Sequence, residues 1–213
     1  MEFKEFGKIA RLYRPVVVTE KIDGTNAQIF IADDAEPITL QSGRVVPFLC
    51  GSRSRWIFPE NDNAGFARWA YEHAEELLQL GPGQHFGEWW GQGIQRKYGM
   101  GEKRFSLFNV GRWHDVHGTN PPTITKRWDP KQRELSVSSD PAPACCYVVP
   151  VLETLPKMDT AALDMVLTAL RVGGSKAAPG FMNPEGIVAY HAASKQLFKI
   201  TCEKDEEPKG KAS

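Results

Sequence analysis

Lys21 closes an apolar run, Val16-Val17-Val18-Thr19-Glu20, and leads directly into Ile22-Asp23-Gly24-Thr25-Asn26. A strand that delivers one amine into a tight turn can seat a covalent nucleophile, because a neutral lysine nitrogen attacks carbonyl or phosphoryl centres. The same residues also suit a plain hairpin, since Asp-Gly is a strong turn signal. Further along, Gly51-Ser52-Arg53-Ser54-Arg55-Trp56 holds two arginines two apart. On an extended segment they project to one side and can grip an anion. In Phe86-Gly87-Glu88-Trp89-Trp90-Gly91 a carboxylate lies amid aromatics, where it costs free energy unless it is exposed or bound. Next come Arg96, Lys97, Lys103 and Arg104, around Tyr98 and among Gly93, Gly99 and Gly101, the most basic patch of the chain. A glycine-rich cationic loop fits a nucleic-acid backbone and equally fits an ordinary surface loop.

Strands must carry most of these residues. Apolar and polar positions read as strands over Val16–Glu20, Asn26–Ala32, Arg44–Gly51, Gln84–Trp90, Phe105–Val110, Cys145–Leu152, Gly186–Tyr190 and Gln196–Cys202, with a hairpin around His191–Ser194 closing the last two. A helix is expected over Asn63–Leu80, capped by Asp62 or Asn63, striped by Phe66, Trp69, Ala70, His73, Leu77 and Leu80, and stopped by Gly81-Pro82-Gly83. His73 on that stripe reads as a packed histidine. Asp159 or Thr160 can cap a second helix to Leu170, with Leu163, Val166, Leu167 and Leu170 inward. Gly173-Gly174-Ser175-Lys176 lacks full P-loop spacing and reads as a helix-ending turn. Residues 1–15 show no clean period and are read as a leading segment with a short helix.

The bulk numbers narrow the class. The chain has 213 residues, 26 basic and 26 acidic, 41% hydrophobic and 24% charged. That is a globular composition, and zero net charge argues against a general polyanion-coating protein while leaving room for a local basic face. Apolar runs fall short of a membrane span, and the start does not read as a signal peptide. Cys50, Cys145, Cys146 and Cys202 form no C-x-x-C pair and read as reduced thiols, which makes a cytoplasmic location the expectation.

Taken in order, Lys21-Ile22-Asp23-Gly24, Ser52-Arg53, Phe86-Gly87-Glu88, Phe105 to Phe108, Glu185-Gly186-Ile187-Val188 and Phe198-Lys199-Ile200 form a series. It resembles motifs I, Ia, III, IIIa, IV and V of the covalent nucleotidyltransferases, which are RNA ligases, ATP-dependent DNA ligases and messenger-RNA capping enzymes. The resemblance runs from Glu20 to about Lys199. Within that superfamily the chain is most similar to the RNA ligase 2-type family. Asn26, five residues past the lysine, is the RNA-ligase choice where DNA ligases and capping enzymes carry Arg. The run Phe86 to Gln95 resembles the glycine-rich continuation of motif III in RNA ligases.

The resemblance implies an α+β, ATP-grasp-like nucleotidyltransferase (adenylation) domain, with two antiparallel sheets flanked by helices around a nucleotide cleft. It implies ATP with Mg2+ or Mn2+ as cofactors, and RNA 5′-phosphate and 3′-hydroxyl ends as partners. Lys21 would attack the α-phosphate and carry AMP. It must first lose its proton, which cationic neighbours and a metal ion favour. Lys199 and Arg53 would stabilise the anionic transition state. Glu185 would engage the metal. Glu88 would engage ribose or metal, and Asn26 the nucleotide or substrate phosphate. Glu20 would help read the adenine amino group, with the base between Phe108 and Val188; Phe108 is chosen over Phe105 by its position relative to Glu88.

Two departures qualify the match. Motif V commonly reads Lys-x-Lys, and here Ile200 and Thr201 follow Lys199, leaving Lys195 or Lys204 as substitutes. The layout is read as one adenylyltransferase domain over 1–205, with a Pro-rich excursion near 112–144 and a charged tail at 206–213. No C-terminal OB or helical domain follows in this sequence, so self-adenylylation is better supported than sealing. A minimal DNA ligase and a catalytically degenerate nucleotide- or RNA-end-binding module are the competing readings. Retention of Lys21, Glu185 and Lys199 together speaks against the latter, because a binder has no need of a nucleophile.

Overall fold

The computed structural model describes residues 3, 5–34, 36–120, 128–129, 134–135 and 139–203. The strands that organise it are β1 (Val16–Lys21), β2 (Thr25–Ile31), β3 (Leu49–Ser52), β4 (Trp56–Ile57), β5 (Gly83–Gly91), β6 (Lys103–Leu107), β7 (Cys146–Val148), β8 (Val151–Leu155), β9 (Gly186–His191) and β10 (Gln196–Thr201). Among the described residues three α-helices accompany them, α1 (Phe66–Glu72), α2 (Ala74–Leu77) and α3 (Thr160–Gly173). The span read as one domain divides into two compact units, residues 1–21 with 151–213, and residues 22–150. Each has its own sheet and core.

The first unit is a four-stranded sheet in the order β8-β1-β9-β10, antiparallel throughout. Alternation along β1 buries Val16, Val18 and Glu20 and leaves Val17, Thr19 and Lys21 on the other face. α3 covers the buried face. Asp159 caps it by accepting the Ala161 and Ala162 N–H groups, and Leu163, Leu167 and Leu170 pack with Val16, Val18, Ile187 and Ala189. Residues 5–15 hold no helix. They are exposed along their length, with no apolar face buried that could offset the nucleation cost of a short helix.

The second unit is a six-stranded sheet in the order β7-β6-β5-β2-β3-β4. It is mixed, not antiparallel as expected, because β7 runs parallel to β6. A parallel partner needs a long crossover, and the excursion after Leu107 supplies one. Asp115, near its start, ties it down by accepting the Val148 N–H at 3.3 Å. Parts of that excursion, and the 206–213 tail, lie outside the described residues. One sheet face packs Ala27, Ile29, Trp89, Phe105 and Leu107 under Phe66, Ala67 and Ala70 of α1.

The structure moves several boundaries. The helix expected from Asn63 starts at Phe66 and breaks at His73, where the imidazole Nδ1 lies 2.8 Å from the Trp69 carbonyl and the ring packs on Trp69. Arg44–Gly51 splits into Val45–Val46 and β3 at Pro47, which has no N–H for a ladder. Cys145–Leu152 divides into β7 and β8, with Pro150 between them and the two strands in different sheets. All four cysteines are free, and burial pushes the Cys50 thiol up to about 12. No helix among the described residues is long and apolar enough to cross a membrane.

Candidate active site

In the first unit the sheet register gathers the candidate residues. Lys21 pairs with Gly186, Thr19 with Val188, and Val188 with Lys199. Residues directly opposite across an antiparallel ladder share a face, so Lys21, Val188 and Lys199 project to the same side. Lys21 Nζ donates to Glu185 Oε2 at 2.6 Å, with side chains 24% and 9% exposed respectively. Gly186 lets the neighbouring strand close in; a Cβ there would sit 2.2 Å from the Ile200 carbonyl oxygen. Lys199 is exposed, and among the described residues its side chain has no hydrogen bond or ion pair. Lys195 lies in the hairpin turn beside Gln196, which pairs with His191 at the far end of the ladder, so it does not replace the missing second lysine. Lys204 lies outside the described residues.

Glu20 corrects the expectation for the adenine contact. Its side chain lies on the opposite face from Lys21, buried beneath α3. The carboxylate accepts the Ser175 hydroxyl at 2.6 Å and the Lys176 and Ala177 N–H groups at 2.7 and 3.0 Å. With three donors satisfied internally, the side chain serves to fix the Gly173–Lys176 turn. Burial raises its pKa, while the hydrogen bonds from Ser175, Ala177 and Lys176 pull it back. Between the unfolded and the raised folded value, the native state holds a proton the unfolded chain has released. Unfolding free energy therefore falls as pH climbs through that window. Glu20→Gln keeps an acceptor for the two N–H groups and removes the ionisation; its stability relative to wild type should grow with pH in denaturant titrations. Glu20→Ala strands two buried donors, the Ser175 hydroxyl and the Ala177 N–H, beside the part-buried Lys176 N–H, and should lose about 3 kcal/mol.

In the second unit, Asn26 pairs with Glu88 across β2 and β5, and its Nδ2 donates to Glu88 Oε2 at 3.1 Å. Glu88 Oε1 accepts the Gly24 N–H at 3.0 Å. The acid amid aromatics thus holds the turn that follows the lysine, which accounts for its tolerated burial. The turn has a second set of holds. The Asp23 N–H donates to Tyr98 Oη at 2.8 Å, and Arg96 Nε donates to the Asp23 carboxylate at 3.1 Å. Sequence reasoning missed this grip and treated the basic loop as a possible polyanion surface. In fact Tyr98 is buried against Trp90, Lys103 donates to the Ala64 carbonyl, and Arg104 pairs with Glu102 over the Tyr147 ring. Gln95, Lys97 and Tyr98 all take positive φ, a costly backbone for residues other than glycine.

Arg53 and Arg55 sit in the turn between β3 and β4, not on an extended segment, so they do not form a matched pair. Arg55 donates to the Asn61 carbonyl at 3.0 Å. Arg53 is exposed and, among the described residues, makes no hydrogen bond or ion pair with its side chain. Phe105 is fully buried in the core, whereas Phe108 is 42% exposed just past β6. Among the described residues no group of three or more His, Cys, Asp or Glu side chains could hold a metal ion alone. Glu185 offers one carboxylate beside Lys21, a donor set suited to a Mg2+-type ion that arrives with substrate phosphates and keeps its waters.

No curated protein sequence matches the chain. Solved structures do: a Naegleria gruberi RNA ligase variant with ATP and Mn matches at 18% identity and a TM-score of 0.52, over 90% of this chain and 51% of that one. A second variant of the same ligase, also with ATP and Mn, gives 18% identity and a TM-score of 0.51, over 89% and 49%. The chain thus spans about half the length of these structures. At that identity the likeness shows a shared fold, a sheet-dominated α+β architecture similar to that of an RNA ligase. The family model for RNA ligase matches residues 14–201, taking in every candidate residue from Glu20 to Lys199, and the chain belongs to the RNA ligase family.

Proposed function

We propose that the chain is an ATP-dependent RNA ligase that works through a covalent lysyl–AMP, on an ATP-grasp-like nucleotidyltransferase scaffold. The observation that carries this reading is the 2.6 Å contact between Lys21 Nζ and Glu185, on the sheet face that Val188 and Lys199 share. Solution of the Naegleria gruberi ligase variants with ATP and Mn supports ATP and a divalent metal as the cofactors.

In the first step Lys21 Nζ, having given up its proton, attacks the α-phosphorus of ATP. A P–N bond forms, the bond from the α-phosphorus to the bridging oxygen breaks, and pyrophosphate leaves. A divalent metal held through Glu185 would supply charge neutralisation at the phosphates. Lys199, on the same face and without an ion pair among the described residues, is suited to stabilise the anionic transition state. Arg53 is assigned a phosphate and Phe108 an adenine face, each by its exposure. Val188 offers an aliphatic surface beside Lys199. Asn26 and Glu88, bonded to each other, are proposed to contact the nucleotide from the turn they brace. AMP then passes to a 5′-phosphate oxygen as the P–N bond breaks, and a 3′-hydroxyl displaces AMP to join the ends.

Incubation with α-labelled ATP or GTP and Mg2+ or Mn2+, followed by denaturing electrophoresis, tests the reading. Label on the protein from ATP and not from GTP is expected. Absence of label overturns the covalent mechanism. Nicked duplexes with RNA or DNA on each side of the break then test the substrate.

A further inference from the structure

The first unit has a concave feature at the end of β1 away from Lys21. A groove of about 510 Å³ runs between residues 8–14 and the turn that joins β9 to β10, lined by Lys8, Arg11, Arg14, Ser194 and Gln196 among others. A buried histidine holds its two walls together: His191 Nε2 lies 2.9 Å from the Leu12 carbonyl and Nδ1 2.8 Å from Ser194 Oγ. The Ala192 N–H adds a bond to the Pro15 carbonyl at 3.1 Å. Among the described residues no ion pair reaches Lys8, Arg11 or Arg14, and no acidic side chain lines the groove. Lys195 lies in the same turn, and Phe6 and Tyr13 on the adjoining chain are 82% and 70% exposed. In a chain of zero net charge such a cluster is a local excess, not a general basicity.

We propose that this groove binds the phosphodiester backbone of the RNA strand to be joined, with Phe6 and Tyr13 as platforms for its bases. The choice of RNA as the polyanion rests on the ligase reading above. Unpaired cations along a groove flanked by exposed aromatics are what sequence-tolerant single-strand binding requires. ATP is a poor candidate. His191 pairs with the Val16 end of β1 and Gly186 with the Lys21 end. At the rise of a β-strand the two ends stand about 17 Å apart. A nucleotide whose α-phosphate lies at Lys21 does not reach that far, but a polynucleotide does.

The test is fluorescence anisotropy with a labelled single-stranded RNA oligonucleotide over a salt series, comparing wild type with a Lys8→Ala, Arg11→Ala, Arg14→Ala triple variant. The triple variant should bind at least 10-fold more weakly at low salt, with a log–log salt slope shallower by about 2, at roughly 0.7 per phosphate contact on a single strand. Arg11→Ala alone should shift the slope by about 0.7, which guards against a folding defect in the triple variant. Unchanged affinity and slope overturn the proposal. So does loss of binding to anionic lipid vesicles with RNA binding intact. ATP labelling, read in parallel, separates the two ideas. Label with unaltered RNA binding sinks the groove alone, and no label with the expected salt shift sinks the ligase reading alone.

Discussion

Lys21→Ala should take up no label from α-labelled ATP, a loss limited only by the detection floor, because no other nitrogen replaces the attacking one. The substitution also leaves Glu185, nearly buried, without its cationic partner. An unpaired carboxylate in that position should lower stability by about 1–3 kcal/mol. A skeptic could then ascribe the missing label to misfolding. The double variant Lys21→Ala, Glu185→Gln answers that, since the neutral amide removes the stranded charge and most of the stability should return. Label should not. Denaturant unfolding and electrophoretic labelling of both variants make the comparison, and label surviving in either would end the case for Lys21 as the nucleophile.

Gly24→Ala is expected to be nearly as severe, by a different route. A Cβ on residue 24 would stand 2.5 Å from the Trp89 carbonyl oxygen, 2.7 Å from Trp90 Cβ and 3.0 Å from Glu88 Cγ. None of the three can yield cheaply. Trp89 and Trp90 belong to a strand paired on both sides, and Trp90 packs edge-on against Tyr98, which itself bonds to Asp23. The turn must lift off, breaking the Gly24 N–H bond to Glu88 and slackening the hold on Asp23. A stability loss of about 3 kcal/mol fits overpacking of a rigid site. Labelling should fall about 100-fold, as displacement of a positioned group by about 1 Å does. If calorimetric Tm and labelling both stay near wild type, the turn is not braced as described.

Candidate site residues were legible in the sequence where residue type and order single them out. Lys21, Glu185 and Lys199 were named from motifs, and the sheet register puts them together because β1, β9 and β10 are neighbours. Glu20 was misjudged, although a signal was present. The alternation that buries Val16 and Val18 sets Glu20 on their face and Lys21 on the other. Its partners at Ser175, Lys176 and Ala177 could not be read, since nothing local encodes a bond across so many residues. The brace on Asp23 was hidden for a similar reason: Arg96 and Tyr98 look like a polyanion surface until their acceptor and donor are known. The strand switch at Pro150 and the parallel β7 likewise follow from long-range pairing and not from periodicity.

The division of the chain also sets an order of assembly. Residues 22–150 form one uninterrupted unit, while β1 must wait for β8, β9 and β10, which come from residues beyond 150. As a ribosome extends the chain, the larger unit can close while the lysine strand is still without neighbours. Lys21 meets Glu185 only when the last strands emerge, so it is the first candidate residue translated after Glu20 and among the last to gain its partner. A nascent chain ending before β9 would hold the residues of the larger unit complete and β1 still without its β9 partner.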